Sequence, residues 1–320
     1  MKLLKAYGDD YERTLLGDLV DFRWVPKSSD SMYEEVLNKE LKECDILQAD
    51  VDILVDKTLI DRAPNLKYIL CTSIGTDYVD LDYATQKGII VANNPDFCMI
   101  AVAEFAVGLM YSICRRIPES MKAANEKLWG LRDELGGVEL FGKNLGLLGF
   151  GKIGREVARQ AIGIGMKVYA YDPFMKDEDI RKHDAVPVDM DELLNCADII
   201  SIHVPLTEGT RNLIGAQELS KMKRTAYIIN VSRGGIIDEV ALIRALSSGE
   251  IKGAALDVTT EEPPAPDNPS LNYEGENLIL TPHIAWYTEE AEEKCEIYFK
   301  EQVRDIVRGN MPKGIINIQA

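Results

Sequence analysis

The run Gly149-Phe150-Gly151-Lys152-Ile153-Gly154 constrains the fold more than any other stretch of this 320-residue chain. A GxGxxG spacing alone is weak, because glycine is common in turns. Its surroundings make it specific. An apolar strand over Asn144–Gly149 runs into the first glycine, a helix is expected over Lys152–Ile162, and a second strand, Lys167–Tyr171, ends at the acid Asp172. Gly149 permits a tight turn, and Gly151 leaves room for a pyrophosphate to approach the backbone. The helix N-terminus presents unpaired N–H groups and a partial positive charge. Ile153, Val157 and Ala161 form one helical stripe, and small residues at Gly154 and Ala158 let the helix sit close to a sheet. A carboxylate at Asp172 can accept hydrogen bonds from both ribose hydroxyls and repels a 2′-phosphate, so NAD is expected and not NADP. The bland alternative, glycines that only tighten a βα turn, does not account for strand, loop, helix, strand and acid in this order. Gly163-Ile164-Gly165 is a contrast: it ends a helix and reads as a C-cap.

The same alternation extends in both directions. Apolar runs near Leu3–Ala6, Val20–Val25, Asp45–Leu47, Tyr68–Cys71 and Ile89–Ala92 read as one βα series. Further strands at Asp198–Val204, Ala226–Val231, Gly253–Val258 and Asn277–Leu280 continue the second. The fold class is therefore α/β with parallel sheets, and the length suits two cores. The apolar stretch from Phe97 to Cys114 is expected to be a helix over 99–116 that ends at Pro118. It carries Glu104 and Ser112, and a mid-membrane carboxylate is costly, so a buried soluble helix is expected and no membrane span. Glu261–Ser270, rich in proline and acids, reads as a loop. An amphipathic helix from about Glu289 to Arg308 should pack back on the N-terminal series. That makes one domain discontinuous, 1–98 with 287–320, around a domain at 99–286. No internal repeat is visible.

The formal net charge of -17 repels polyanions, so nucleic acid is not an expected partner. It does not exclude a dinucleotide held by backbone N–H groups. The six cysteines, at 44, 71, 98, 114, 196 and 295, show no metal-ligand spacing. Free thiols in a reducing cytoplasm are expected, and no metal. Cys71 and Cys98 each end an expected strand, which leaves a reactive thiol open. The N-terminus lacks a signal-peptide pattern, and with the chain stopping at Ala320 no appended regulatory domain is expected.

Several segments carry a family likeness. Gly142-Lys143-Asn144-Leu145-Gly146, Gly149–Gly154, His203-Val204-Pro205-Leu206-Thr207 and Asn230-Val231-Ser232-Arg233-Gly234-Gly235 resemble the D-isomer-specific 2-hydroxyacid dehydrogenases. So do Leu256-Asp257-Val258, Glu261-Glu262-Pro263 and Thr281-Pro282-His283-Ile284-Ala285, in the family's order. The resemblance implies two Rossmann-like domains with an intervening cleft, and usually a homodimer built around the 99–116 helix. It implies that Arg233 binds the substrate carboxylate and polarises its carbonyl, that His283 is the acid/base with Glu262 as partner, and that Asp257 contacts the nicotinamide side of the cofactor. The loop Ser73-Ile74-Gly75-Thr76 would offer N–H groups to the carboxylate. His203, Pro205 and Val231 join the glycine run as candidate cofactor contacts.

The residue chemistry fits these assignments. Arg233 is planar, forked and permanently charged, and it follows a strand, where open α/β sheets bind ligands. A surface arginine in a turn is the alternative. Among three histidines, His183 lies in a charged stretch and is expected to be solvated, and His203 more suits the adenosine side. His283 follows a strand and Pro282. A neighbouring carboxylate favours imidazolium, the form that protonates a nascent alkoxide. Glu262 is the first candidate for that carboxylate and Glu261 the second. Formate dehydrogenases typically have Gln where the pair here has Glu. Phosphoglycerate dehydrogenases usually place a basic residue where this chain has the acidic Gln48-Ala49-Asp50-Val51-Asp52. Trp286 resembles glycerate (hydroxypyruvate) dehydrogenases, so hydroxypyruvate and glyoxylate lead the expected substrates, unless Trp286 only packs a hinge. Trp129 could be an interface anchor or reach toward a partner's site. Hinges are expected near 98 and 286. The competing readings are a reductase of bulkier aliphatic or aromatic 2-oxo acids and an NAD(H)-sensing scaffold like the C-terminal-binding corepressors.

Overall fold

The computed structural model describes residues 1–26, 32–51 and 53–317. The chain divides into two compact units, Met1–Cys98 with Thr288–Ala320, and Met99–Tyr287.

In the first unit, strands β1 (Lys2–Lys5), β2 (Asp21–Trp24), β3 (Ile46–Ala49), β4 (Tyr68–Cys71) and β5 (Ile90–Ala92) form a parallel sheet in the order β2-β1-β3-β4-β5. Helices α1 (Glu12–Leu16), α2 (Tyr33–Glu43), α3 (Lys57–Asp61) and α4 (Leu81–Gln86) connect them. Successive strand residues point to opposite faces. Leu4, Leu47, Ile69 and Val91 therefore pack with Leu37, Leu41, Leu59 and Ile60 on one side. Leu3, Ile46, Leu70 and Ala92 pack on the other, with Leu16, Phe22, Phe299, Val303 and Ile306. Coverage of both faces is why these strands read as continuous apolar runs and not as alternation.

The second unit opens with α5 (Met99–Cys114) and α6 (Ile117–Asn125), followed by β6 (Asn144–Leu148), α7 (Lys152–Gly163), β7 (Lys167–Tyr171), α8 (Asp177–Arg181) and the short β8 (Val186–Pro187). It continues with α9 (Met190–Cys196), β9 (Ile199–Ile202), α10 (Ala216–Lys221), β10 (Tyr227–Asn230), α11 (Glu239–Ser248), β11 (Gly253–Leu256) and β12 (Leu278–Leu280). The sheet is parallel throughout, in the order β12-β11-β10-β9-β6-β7-β8. Its order reverses between β6 and β9, the position at which doubly wound sheets take ligands. The chain then returns to the first unit with α12 (Glu289–Val307).

Three local expectations are corrected. The apolar helix stops at Cys114, because Arg116 takes a left-handed backbone angle (φ 52°). Pro118 does not end that helix but sits in the first turn of α6, where its missing N–H is no loss. Cys98 lies in a turn before α5 and not at a strand end, whereas Cys71 does end β4. Both thiols are buried, and burial pushes Cys71 up to about 12. All six cysteines are free thiols. Among the described residues no helix is long and apolar enough to cross a membrane; Glu104, on α5, is exposed. Of the acidic segment 48–52, Asp52 lies outside the described residues.

Candidate active site

The glycine loop begins where β6 ends. Gly149 has φ +93°, a conformation that L side chains rarely adopt, and a Cβ there would lie 2.8 Å from the His203 carbonyl carbon. A Cβ on Gly154 would lie 2.4 Å from the Gly149 oxygen, so this glycine lets α7 close against the loop. At Gly151 nothing lies within 4 Å of such a Cβ. The N-cap, Gly151, has no side chain with which to cap the first turn of α7. Two glycines are thus required by the fold, and the third faces open space at a helix N-terminus. That arrangement fits a pyrophosphate. Lys152, exposed, and Ile153, half-buried, open the helix.

Asp172 follows β7. Its Oδ2 accepts the Phe150 N–H at 2.9 Å and its Oδ1 the Phe174 N–H at 2.9 Å. The acid expected to read a ribose therefore also ties down the glycine loop, and each oxygen keeps lone-pair capacity. His203 is half-buried, and its Nε2 lies 2.9 Å from the hydroxyl of fully buried Ser201. Burial pulls the imidazole down to about 3. Val231 is buried, and Pro205 is exposed, its carbonyl accepting the Thr210 hydroxyl. His183 is exposed and stands edge-on to Phe150.

The other group of residues grows from the adjacent carboxyl ends of β10, β11 and β12, where Asn230 pairs with Leu256 and Leu256 with Leu280. After β10, buried Asn230 shapes the turn: its Oδ1 accepts from the Ser232 N–H and hydroxyl, and its Nδ2 donates to the Arg233 carbonyl at 2.9 Å. One Arg233 nitrogen donates to the Ser232 carbonyl at 3.0 Å. Gly234 lets this turn meet the loop after β11, since a Cβ there would lie 2.0 Å from the Thr259 carbonyl carbon.

That loop carries Glu262, and the loop after β12 carries His283. Glu262 Oε2 lies 2.5 Å from His283 Nδ1, with the two side chains 33% and 23% exposed. Glu261, the second candidate, only offers its backbone carbonyl to Thr259. His283 holds a left-handed backbone (φ 54°), which costs about 1–3 kcal/mol for a non-glycine residue unless its surroundings enforce it. Asp257 enforces it. Its carbonyl accepts the His283 N–H at 2.8 Å, Oδ1 accepts from Thr281 Oγ1 and the Ile284 N–H, and Oδ2 accepts the Ala285 N–H at 2.8 Å. Fully buried Asp257, expected as a cofactor contact, spends its carboxylate on shaping the histidine loop. Trp286 is half-buried and packs edge-on against Tyr287.

In the first unit, the Ser73-Ile74-Gly75 carbonyls all turn inward. Ser73 O accepts the Asn94 N–H, Ile74 O the Asn93 side chain, and Gly75 O the Ser73 hydroxyl. At the end of β3, Asp50 accepts the Thr72 hydroxyl. Lys5, 5% exposed at the end of β1, is held by both Glu12 oxygens at 2.7 Å and lies 3.6 Å from Asp9. Among the described residues no group of three or more His, Cys, Asp or Glu side chains could hold a metal ion.

Sequence reasoning missed Asn230, the clamping role of Asp257, and Glu239, described below. A polar residue at the end of a buried strand was the available signal for the first two. Nothing in the sequence shows which way such a side chain turns.

Residues 107–285 match a sequence model described as the NAD binding domain of D-isomer specific 2-hydroxyacid dehydrogenases. The chain is 41% identical over 286 residues to D-3-phosphoglycerate dehydrogenase of Methanocaldococcus jannaschii, covering 89% of this chain and 54% of that one. It therefore spans about half the length of that relative. It is 38% identical over 290 residues to glyoxylate reductase of Thermofilum pendens, covering 88% and 84%. Among solved structures, D-lactate dehydrogenase from Aquifex aeolicus, complexed with NAD and lactic acid, matches with a TM-score of 0.90 at 29% identity, covering 100% of both chains.

Proposed function

The chain belongs to the D-isomer-specific 2-hydroxyacid dehydrogenase family, and from that premise we propose that it reduces a small, unphosphorylated 2-oxo acid to the D-2-hydroxy acid, with hydroxypyruvate and glyoxylate favoured. NAD is the cofactor, and its reduced form, when bound, supplies the hydride. Met99–Tyr287 is the NAD-binding domain. Gly149–Gly154 and Asp172 would hold the cofactor, with His203, Pro205 and Val231 beside it. The first unit is the substrate domain.

The observation that carries this reading is the 2.5 Å contact of His283 Nδ1 with Glu262 Oε2. With Nδ1 engaged, Nε2 is the nitrogen left to hand a proton to the substrate oxygen. Arg233 fixes the carboxylate and polarises the carbonyl. Ser73, Ile74 and Gly75 of the first unit, whose carbonyls are already hydrogen-bonded, would offer backbone N–H groups for substrate binding, and Trp286 would bound the substrate. Asp257 sets the histidine loop, whatever contact it also makes with the cofactor.

The preference against a phosphorylated substrate rests on Lys5, Glu12 and Asp50. The lysine is already neutralised, and a phosphate dianion there would meet carboxylates. The homodimer would form through α5 and α6. Ile100, Tyr111, Ile117 and Met121 are exposed there, and Trp129, just beyond, is 75% exposed. A groove of about 770 Å³ between these helices and β12 is lined by Phe105, Leu109, Ile117, Met121 and Ile279. Six free thiols suit a reducing, cytoplasmic setting.

A panel of 2-oxo acids with NADH, followed at the cofactor's near-ultraviolet absorbance, tests the proposal. Hydroxypyruvate and glyoxylate should give the highest kcat/KM. A higher value for the 3-phosphorylated analogue would overturn the substrate reading. Tight NADH binding without turnover of any acid would favour a scaffold.

A further inference from the structure

Asp238 and Glu239 are consecutive acids at the start of α11, and they do different things. Asp238 is the N-cap, its Oδ1 accepting the Ala241 N–H at 3.0 Å. Glu239 is thereby released from capping. Its side chain turns away from its own helix and is almost completely buried, the residue being 6% exposed. Oε1 accepts the Thr260 N–H at 2.5 Å. Oε2 accepts the Asn268 amide at 2.9 Å and the Ser270 hydroxyl at 2.8 Å. These three donors flank Glu262 on both sides in sequence, so one carboxylate gathers both ends of the loop that carries it. The donors are neutral groups. Burial pushes the Glu239 carboxyl up, but hydrogen bonds from Thr260, Ser270 and Asn268 outweigh it and hold the group below the usual carboxylate range.

The same loop is fixed a second time where Gly234 abuts Thr259. Glu239 follows Arg233 across one short 3-10 turn, Gly234–Ile236. The Glu262 loop is thus held to the start of α11 by one buried anion and to the Arg233 turn by the Gly234–Thr259 approach.

We propose that Glu239 is a positioning residue for the Glu262–His283 pair, setting where the Glu262 carboxylate sits against the imidazole although it touches neither substrate nor cofactor. This rests on the reading of Glu262 and His283 as the proton-handling pair. The chemical reason is that an acceptor-only group is required: three donors converge, and a neutral amide cannot accept from all of them. A buried hydrogen-bonded carboxylate is costly to place, and here its return is the geometry of a loop that carries no regular secondary structure.

The test uses the full-length protein and the variants Glu239→Gln, Glu262→Gln and the double. Glu239→Gln should lower kcat about tenfold, leave NADH affinity within about twofold, and shift the alkaline limb of the reduction profile in the same direction as Glu262→Gln. The double variant should be no worse than Glu262→Gln alone, because both act through one contact. A Glu239→Gln profile that stays at the wild-type position while Glu262→Gln moves it overturns the inference and leaves the functional reading intact. A Glu262→Gln profile that does not move overturns both. If Glu239→Gln does not fold, Ser270→Ala removes one donor with little change in volume. It should give a fall of about threefold with the same sign of shift, and an unmoved profile there overturns the inference too.

Discussion

The backbone angle at His283 decides which substitution interrogates it cleanly. Asparagine tolerates left-handed backbone better than most residues, so His283→Asn should keep the loop that Asp257 clamps while removing the proposed proton donor. Reductase kcat should fall about 10²–10⁴-fold with the melting temperature nearly unchanged; unchanged turnover would remove His283 from the mechanism. His203 has a different signature. Its imidazole is held at about 3 in the fold against 6.5 for an ordinary histidine. The unfolded chain then binds a proton that the folded one refuses, so the stability His203 contributes is full above pH 6.5 and is lost as pH falls toward 3. Melting temperature against pH should show this decline, and His203→Gln should flatten it; equal slopes would mean that the ring is not held neutral. At this scale the proposed set Arg233, Glu262 and His283 could be picked out in the sequence because few residue types suit such chemistry and all three follow strands, and the structure brings Glu262 and His283 together. Asn230, Asp257 and Glu239 were not, since an acid or amide reads the same in sequence whether it faces solvent or a buried loop.

Among the elements, the glycine loop makes separable predictions. Gly151 faces open space with φ -67°. Gly151→Ala should leave the melting temperature unchanged or slightly higher and weaken NADH binding at least about tenfold, as read by cofactor fluorescence. Gly154→Ala should instead cost about 1–3 kcal/mol of stability, because the added methyl meets the Gly149 oxygen. If Gly151→Ala binds NADH normally, the pyrophosphate does not approach there. The strands were readable from apolar runs, and β7 falls at Lys167–Tyr171 as expected from the sequence. β4 matches as well, β1 begins and ends one residue early, β3 runs two residues further, and most other strand boundaries moved inward by a residue or two, because a strand ends where its ladder of hydrogen bonds ends, and hydropathy does not mark that point. α6 was hidden because proline is compatible with both the end of one helix and the first turn of the next.

For the whole molecule, the separation into two cores predicts where the cofactor acts. Saturating NADH should slow hydrogen exchange chiefly within Met99–Tyr287, at 149–154 and in the loops after β10 to β12. It should also raise stability by about 2.7 kcal/mol at a hundredfold excess over Kd. Slowing confined to the β1–β5 sheet would contradict the assignment of the domains. The discontinuity of the first unit was legible from an amphipathic helix, 289–308, too long for a tail. One face of its sheet, with Leu3, Ile46, Leu70 and Ala92, is sealed by Phe299, Val303 and Ile306 of α12. During synthesis at about 5–20 residues per second, roughly 10–40 s separate the emergence of Cys98 from that of α12. The nascent chain must carry an uncovered apolar sheet face through the whole translation of the second unit. That interval is when the apolar face is open to aggregation.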